Sequence, residues 1–278
     1  MTDREDHGRI AMTLAERIDP LARPRMRARE FDGIPVIEAA LPGPFRALFT
    51  TRLGGESQGV FASLNLSPRS EDDPLVVERN RARVGSLTSC RLVSPAQAHG
   101  LRVVGAAEYV QEEPDSPCDG LTLHLEIDKG LAALLLYADC VPLVLCGEMD
   151  MAVAHAGWRG ILGGMVERAA RGLMGMAGTA VIGPSIGPCC FTVGDDVAAA
   201  FAGRFGSEVV LHPTEGDGPL RVDLWAATAR ALREVGISPG QIVNPRICTA
   251  CNTDLFYSYR VEGPETGRHG CLGWVASS

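Results

Sequence analysis

Leu131-Ala132-Ala133-Leu134-Leu135-Leu136-Tyr137-Ala138-Asp139-Cys140-Val141-Pro142-Leu143-Val144-Leu145-Cys146 holds two apolar stretches of buried-strand length joined at Ala138-Asp139-Cys140. Neither stretch alternates polar with apolar residues, which is the pattern of strands covered on both faces. Met151 to Ala154 repeats the pattern shortly afterwards. Working outward, Ile34-Pro35-Val36-Ile37, Phe45-Arg46-Ala47-Leu48-Phe49, Arg102 to Val110 and Ala180-Val181-Ile182 read as further strands. Asp72-Asp73-Pro74 opens a helix to about Leu87, with proline in its first turn and carboxylates at its positive end. Gly160 to Met174 and Asp195 to Phe201 read as helices, and Asp223 caps another that Gly236 ends. This irregular alternation predicts an α/β (mixed α+β) fold: a single layered domain, residues 31–278, with a mixed β-sheet core flanked by helices. Residues 1–30 mix Arg with Asp and Glu and are expected to form a mobile extension or a loosely docked helix.

A chain of 278 residues with 46% apolar content has the material for a substantial core. The formal net charge of −8 comes without any basic stripe, so nucleic-acid binding is not expected. Of the 26 cationic residues only Lys129 is a lysine, a skew that reflects coding-DNA composition. A lone arginine therefore needs further support before it is given a role. Nine cysteines is an odd count in a chain too large to need disulfide staples. With no leader-like segment and no membrane-length apolar run, a reduced, cytoplasmic protein is expected.

Three short runs each deliver one metal-ligand type: Gln97-Ala98-His99-Gly100, Ala138-Asp139-Cys140 and His155-Ala156-Gly157-Trp158-Arg159-Gly160. Two histidines and a cysteine leave the fourth tetrahedral position of a zinc ion open, as catalytic rather than structural sites do. His155 ends the Met151 strand before a Gly-rich turn, and His99 lies in the connection into the Arg102 strand. Asp139-Cys140 lies where an apolar strand gives way to Pro142, near a bend or an edge. Strand ends and their loops are where α/β folds place their sites. Taken singly, a histidine would be unremarked and Cys140 would read as a small buried hydrophobe. Together they point to a hydrolase, phosphorylase or deaminase. Asp139 is a candidate proton acceptor or partner to the ligands, although neighbouring strand residues face opposite ways. Arg52 and Arg159 are candidates for oxyanion contacts, since a guanidinium presents a planar fork. Asn65 is a candidate substrate contact or a turn cap.

Several segments occur in a characteristic order: Thr50-Thr51-Arg52-x-Gly54-Gly55-x-Ser57-x-Gly59, Ser63-Leu64-Asn65-Leu66, the three ligand runs, and Ile182-Gly183-Pro184-x-Ile186-Gly187-Pro188. Phe256-Tyr257-Ser258-Tyr259-Arg260 and Thr266-Gly267-Arg268 follow. In these the chain resembles the YfiH/laccase-domain family, also called polyphenol oxidases, over most of residues 45–275. The resemblance implies that His99, Cys140 and His155 ligate one zinc ion. It also implies phosphorolysis of purine nucleosides (adenosine, inosine, guanosine and methylthioadenosine) by inorganic phosphate, together with adenosine deamination. Ala98 stands where the family often carries a larger apolar residue, a departure that leaves the ligands untouched.

Rival readings are weaker. A multicopper oxidase needs about ten histidines, many in His-x-His pairs, whereas this chain has six and no such pair. A single blue-copper site needs a weak axial ligand that the sequence does not identify. Copper stays the less favoured metal. Cytidine-deaminase chemistry needs a Glu two residues after the histidine and a Pro-Cys-x-x-Cys run, but His155 precedes Ala156-Gly157 and Ile247 precedes Cys248. Amide hydrolysis of a cell-wall precursor would use the same metal. A zinc-stabilised binding module would need His124, Cys118 or Asp119 to close the metal site. Cys189-Cys190 with Cys248-Thr249-Ala250-Cys251 could bind a second metal or form a redox couple. Buried reduced thiols are the plainer reading for these four.

Overall fold

Alternation along the central strands decides the layering. The computed structural model describes residues 13–113, 116–213 and 218–276. Its strands are β1 (Met26–Phe31), β2 (Ile34–Ala39), β3 (Phe45–Thr50), β4 (Arg91–Val93), β5 (Val103–Gly105), β6 (Gly120–His124), β7 (Leu131–Tyr137) and β8 (Val141–Cys146). They continue with β9 (Asp150–Ala156), β10 (Thr179–Ile182), β11 (Thr192–Val193), β12 (Val210–Leu211), β13 (Leu220–Val222), β14 (Ile242–Val243) and β15 (His269–Val275). One six-stranded sheet runs β1-β2-β3-β15-β7-β4, antiparallel except for the parallel β4–β7 edge. A second runs β14-β10-β8-β9-β6-β5, with parallel pairs at both ends. β11, β13 and β12 form a small third sheet.

The two large sheets pack face to face. Ala133, Leu135, Tyr137, Phe49 and Cys271 of the first share one core with Leu121, Val144, Met151 and Val153 of the second. The alternate residues face outward. Leu134, Leu272 and Trp274 join Val84 of the helix α2 (Pro74–Ser86) in an outer core. On the other side, Leu143, Leu145, Ala152 and Ala154 pack on α4 (Trp158–Gly163), α5 (Met165–Arg171), α6 (Asp195–Phe205) and α7 (Leu224–Glu234). The layers therefore run helix, sheet, sheet, helices. That doubling is why the strands around Cys140 lack polar alternation: both faces are covered. The mixed α/β class with flanking helices stands, with two large sheets where one was anticipated.

Local expectations fared according to their chemistry. Asp73 accepts the Leu75 N–H and Asp223 that of Ala226, so both capped helices start where anticipated. The single helix expected over 160–174 is two, broken at Gly164, which adopts the left-handed φ of 96°. The strand expected from Arg102 to Val110 ends at Gly105. A short turn of helix, α3 (Ala106–Tyr109), follows, its Ala107 N–H accepted by the Asp128 carboxylate. Asp139-Cys140 forms a bend, one of the two settings anticipated, while Pro142 lies in the interior strand β8 and not at an edge. Residues 1–12 of the anticipated extension lie outside the described residues. Residues 13–17 are helical (the described part of α1), and Leu14, Ile18, Ala22 and Met26 are buried. Of these only Leu14 lies in the helix; Ile18 and Ala22 follow it in a bend and a turn and Met26 opens β1, so they are separate apolar anchors that the charged composition concealed. β1 then pairs antiparallel with β2, so residues 13–30 are packed, not a loose extension.

Candidate metal centre and its cleft

The chain passes from the first large sheet to the second at two places flanking the site, and each passage carries a candidate ligand. His99 lies between β4 and β5, and Cys140 in the short turn between β7 and β8. His155 lies in β9, opposite Pro142 of β8. The ligand atoms of His99, Cys140 and His155 all lie within 4.8 Å of one another, and the two imidazoles meet edge-on with centroids 4.7 Å apart. His155 is buried, Cys140 half-buried and His99 exposed, so the group faces outward at the floor of a cleft of about 800 Å³.

Asp119 organises this floor. Its buried carboxylate meets His155 Nδ1 at 2.9 Å and accepts the backbone N–H groups of Ala98, His99 and Gly100 at 3.2, 2.9 and 2.7 Å. Three converging N–H donors hold a carboxylate firmly, and they fix His99 at its left-handed φ of 56°. With Nδ1 occupied, His155 turns Nε2 towards Cys140, the orientation a metal ligand needs. Gln97 fastens the same loop to β7, exchanging side-chain hydrogen bonds with the Leu136 N–H and C=O at 2.7 and 2.8 Å. Gly157 leaves the room: a Cβ there would lie 3.2 Å from both Cys140 Sγ and His99 Cδ2.

Burial alone would push the Cys140 thiol up, yet His155 and His99 beside it bring it down to about 6. Burial likewise opposes a charged His155, but the Cys140 thiolate and Asp119 raise it to about 9. Each group thus favours the charged form of the other, thiolate beside imidazolium. Asp119 is lowered: the hydrogen bonds from His155 and the backbone outweigh its burial. Two imidazoles and a thiolate, with a carboxylate behind one imidazole, match the donor set and outer support of a zinc site with three protein ligands.

The other anticipated residues are placed differently from one another. Arg159 lines the cleft, its guanidinium 4.2 Å above the Trp158 ring. Asp139 also lines it, but Oδ1 accepts from Thr249 Oγ1 at 2.6 Å. Its Oδ2 accepts from Ser258 Oγ at 3.0 Å and the Arg260 N–H at 2.7 Å. Its carboxylate thus binds two loops to the Cys140 turn. Arg52 lies outside the cleft lining, paired with Glu262 at 2.7 Å, donating to the Ala62 and Thr253 carbonyls and stacked over Tyr257. Asn65 is buried behind the wall, accepting the Ser67 and Arg268 N–H groups. Arg52 and Asn65 are therefore not brought to the cleft. Asp119 stands behind His155, Cys118 is directed at the Gly120 carbonyl, and His124 Nδ1 accepts the Glu126 N–H. None of these three joins the group of ligand atoms.

Sequence reasoning did not single out Arg69, Arg260 and Arg268 as site residues, yet they line the cleft with Arg159. Arg260 and Arg268 sit in the quoted tail motifs and so carried a signal. Arg69 carried none, and the orienting role of Asp119 follows from geometry alone.

Fold and site together define an α/β protein with a three-ligand candidate metal centre beneath an arginine-lined cleft. The chain belongs to the family described as multi-copper polyphenol oxidoreductase laccase, whose model matches residues 46–276; this is the YfiH/laccase-domain family of the motifs. It is 34% identical over 240 residues to the Pseudomonas aeruginosa protein "Purine nucleoside phosphorylase PA4543", covering 84% of this chain and 95% of that one. The Geobacillus stearothermophilus protein "Purine nucleoside phosphorylase YlmD" is 32% identical over 261 residues, covering 85% and 90%. Its crystal structure matches with a TM-score of 0.77 over 90% of this chain and 98% of that one. The crystal structure of Neisseria meningitidis NMB0706 matches with a TM-score of 0.76 at 31% identity, covering 91% and 100%.

Proposed function

We propose that this chain is a zinc-dependent purine nucleoside phosphorylase, with His99, Cys140 and His155 holding one zinc ion. The observation that carries the reading is the meeting of those three side chains beneath a cleft lined by Arg69, Arg159, Arg260 and Arg268. Phosphorolysis joins a phosphate oxygen to C1′ of the ribose while the purine departs with the electron pair of the glycosidic bond. An arginine-lined wall suits the incoming oxyanion, and Trp158, Phe191 and Tyr259 offer ring faces for the base. Asp119, through His155 Nδ1, keeps the imidazole in its ligating orientation, and Asp139 holds the rim loops against the Cys140 turn. When bound, zinc supplies Lewis-acid polarisation at the floor of the cleft.

The substrates in this reading are adenosine, inosine, guanosine and methylthioadenosine with inorganic phosphate, and adenosine is also deaminated, water replacing the amine with release of ammonia. Copper fits less well, because a blue-copper site wants a weak axial ligand such as methionine and, among the described residues, no methionine lines the cleft. A reducing cytoplasm suits a site that relies on a thiolate. The test is adenosine turnover by purified protein of known metal content, with and without phosphate, in the wild type and in His99→Ala and Cys140→Ala. Phosphate-dependent adenine release that disappears with the zinc in both variants supports the reading. Full zinc and full turnover in either variant sinks it. Inosine formation without phosphate measures the deaminase arm.

A further inference from the structure

Among the described residues, a second gathering of ligand-bearing side chains lies away from the cleft floor. Cys189, Cys190, Cys248 and Cys251 bring four sulfur atoms within 4.8 Å of one another. Only Cys248 is buried; Cys189 and Cys251 are exposed and Cys190 is half-buried, so the expectation of four buried thiols fails. The backbone builds the cluster. Ser185 pairs with Cys248 in a parallel bridge, the Thr249 N–H donates to the Ser185 carbonyl, and the Gly187 N–H meets Cys248 Sγ at 3.2 Å. Trp225 Nε1 holds Ser185 Oγ at 2.7 Å from behind. Two loops are thereby fixed so that Cys189-Cys190 faces the Cys248-x-x-Cys251 turn.

We propose that these four cysteines form a second metal site, a mononuclear tetrathiolate centre occupied by zinc. Cys189 and Cys190 lie 3.5 and 3.3 Å from Cys251 Sγ. A sulfur–sulfur bond is about 2.05 Å, whereas the edge of a tetrahedron with zinc–sulfur bonds of about 2.3 Å is roughly 3.8 Å. The observed spacing lies close to the tetrahedral edge and is far too tight to surround a four-iron cluster. Soft thiolates select zinc, iron or cuprous copper, and of these zinc is the ion that takes a closed tetrahedral set of four cysteines in structural sites. Zinc binding displaces the thiol protons and leaves a centre carrying the charge of four thiolates against one divalent ion.

The position gives the centre a purpose. Ile186 and Phe191, which flank Cys189-Cys190, line the cleft, and Thr249, between Cys248 and Cys251, donates to Asp139. An ion here clamps two loops that shape the substrate wall without touching the reacting atoms. The centre is structural and stands whether or not the chain is a phosphorylase.

The test is metal analysis of the full-length protein purified under reducing conditions. Two zinc ions per chain in the wild type, one in Cys189→Ser/Cys251→Ser and one in His99→Ala is the expected result. Because the double variant could misfold, wild-type protein loaded with cobalt is measured as well. A thiolate-to-cobalt charge-transfer band that persists in Cys140→Ser supports the site. So does protection of four thiols from alkylation that a chelator abolishes. A single zinc per chain with these four thiols freely alkylated overturns the proposal. A mass two hydrogens below that of the reduced chain, marking a disulfide among them, overturns it too. An iron chromophore overturns the assignment to zinc.

Discussion

Replacing Asp119 by asparagine tests whether one carboxylate holds both halves of the candidate centre. Oδ1 accepts from the His99 N–H and His155 Nδ1, and Oδ2 from the Ala98 and Gly100 N–H groups. Asparagine preserves the volume but presents an NH2 group to one of those pairs. If the amide nitrogen faces the first pair, His155 must give up its Nδ1 proton and carry it on Nε2, losing the lone pair a metal needs. If it faces the second, the loop bearing His99 loses its anchor. In the first case the His99 N–H loses its acceptor and the His155 contact reverses; in the second the Ala98 and Gly100 N–H groups both lose theirs, each bond to a charged acceptor being worth about 1.5–3 kcal/mol. Loss of such outer support costs about 10–100-fold in metal affinity, or about 1.4–2.7 kcal/mol. Zinc affinity measured by chelator competition should fall within that range. Melting of the metal-free protein should fall by roughly 6–12 °C for a loss of about 3 kcal/mol. A variant that binds zinc within about threefold of the wild type (about 0.7 kcal/mol) and melts at the wild-type temperature refutes the role given to Asp119.

Gly157→Ala places a methyl group 3.2 Å from Cys140 Sγ and His99 Cδ2 on an extended backbone (φ −65°) that tolerates alanine. Zinc affinity should drop by about 10-fold with metal-free melting nearly unchanged, and unaltered zinc binding would show that the ligands have slack. Arg159→Met should raise the KM for phosphate by about 10-fold, the loss of one charged hydrogen-bonding partner, with a smaller change in kcat; an unchanged KM would remove Arg159 from the phosphate wall. His269 is buried, and neither ring nitrogen has a hydrogen-bond partner among the described residues. Burial, then Arg268 and Arg52, lower it to about 3. Its unfolded value is about 6.5, so between these values the unfolded chain binds a proton that the folded one refuses, and stability falls as pH drops through that window. Denaturation midpoints from pH 7 to pH 4 should slope less in His269→Leu than in the wild type, and identical slopes would assign the acid loss to other groups.

The grouping of His99, Cys140 and His155 was legible because each sits in a short run of distinctive residues in or beside the turns between strands. The two anticipated caps were legible for a local reason as well, since a cap aspartate lies within three residues of the N–H it accepts. The doubled sheet was not legible. Residues buried between two sheets and residues buried between a sheet and helices give the same apolar run, so Leu131–Tyr137 could not reveal which layers covered it. Arg52 and Asn65 looked like substrate contacts from their Gly-rich and turn settings, but their partners, Glu262 and Arg268, are over 200 residues away in the chain. Asp119 was in view only as a possible closing ligand, and its orienting role was hidden in the same way. Its meaning comes from His155, 36 positions away, and from three backbone groups that no side-chain pattern announces.

His99 and Cys140 both ride on passages where the chain leaves one large sheet for the other, while His155 belongs to the second sheet alone. The distance between these three donors is therefore a gauge of how the sheets are seated. An ion gripped by all three acts as a rivet through the seam, and sliding one slab against its neighbour by even a fraction of a bond length would be felt as a change in grip. Chelation should accordingly loosen amide protons along β7 and β8 before those at the far rims of either sheet.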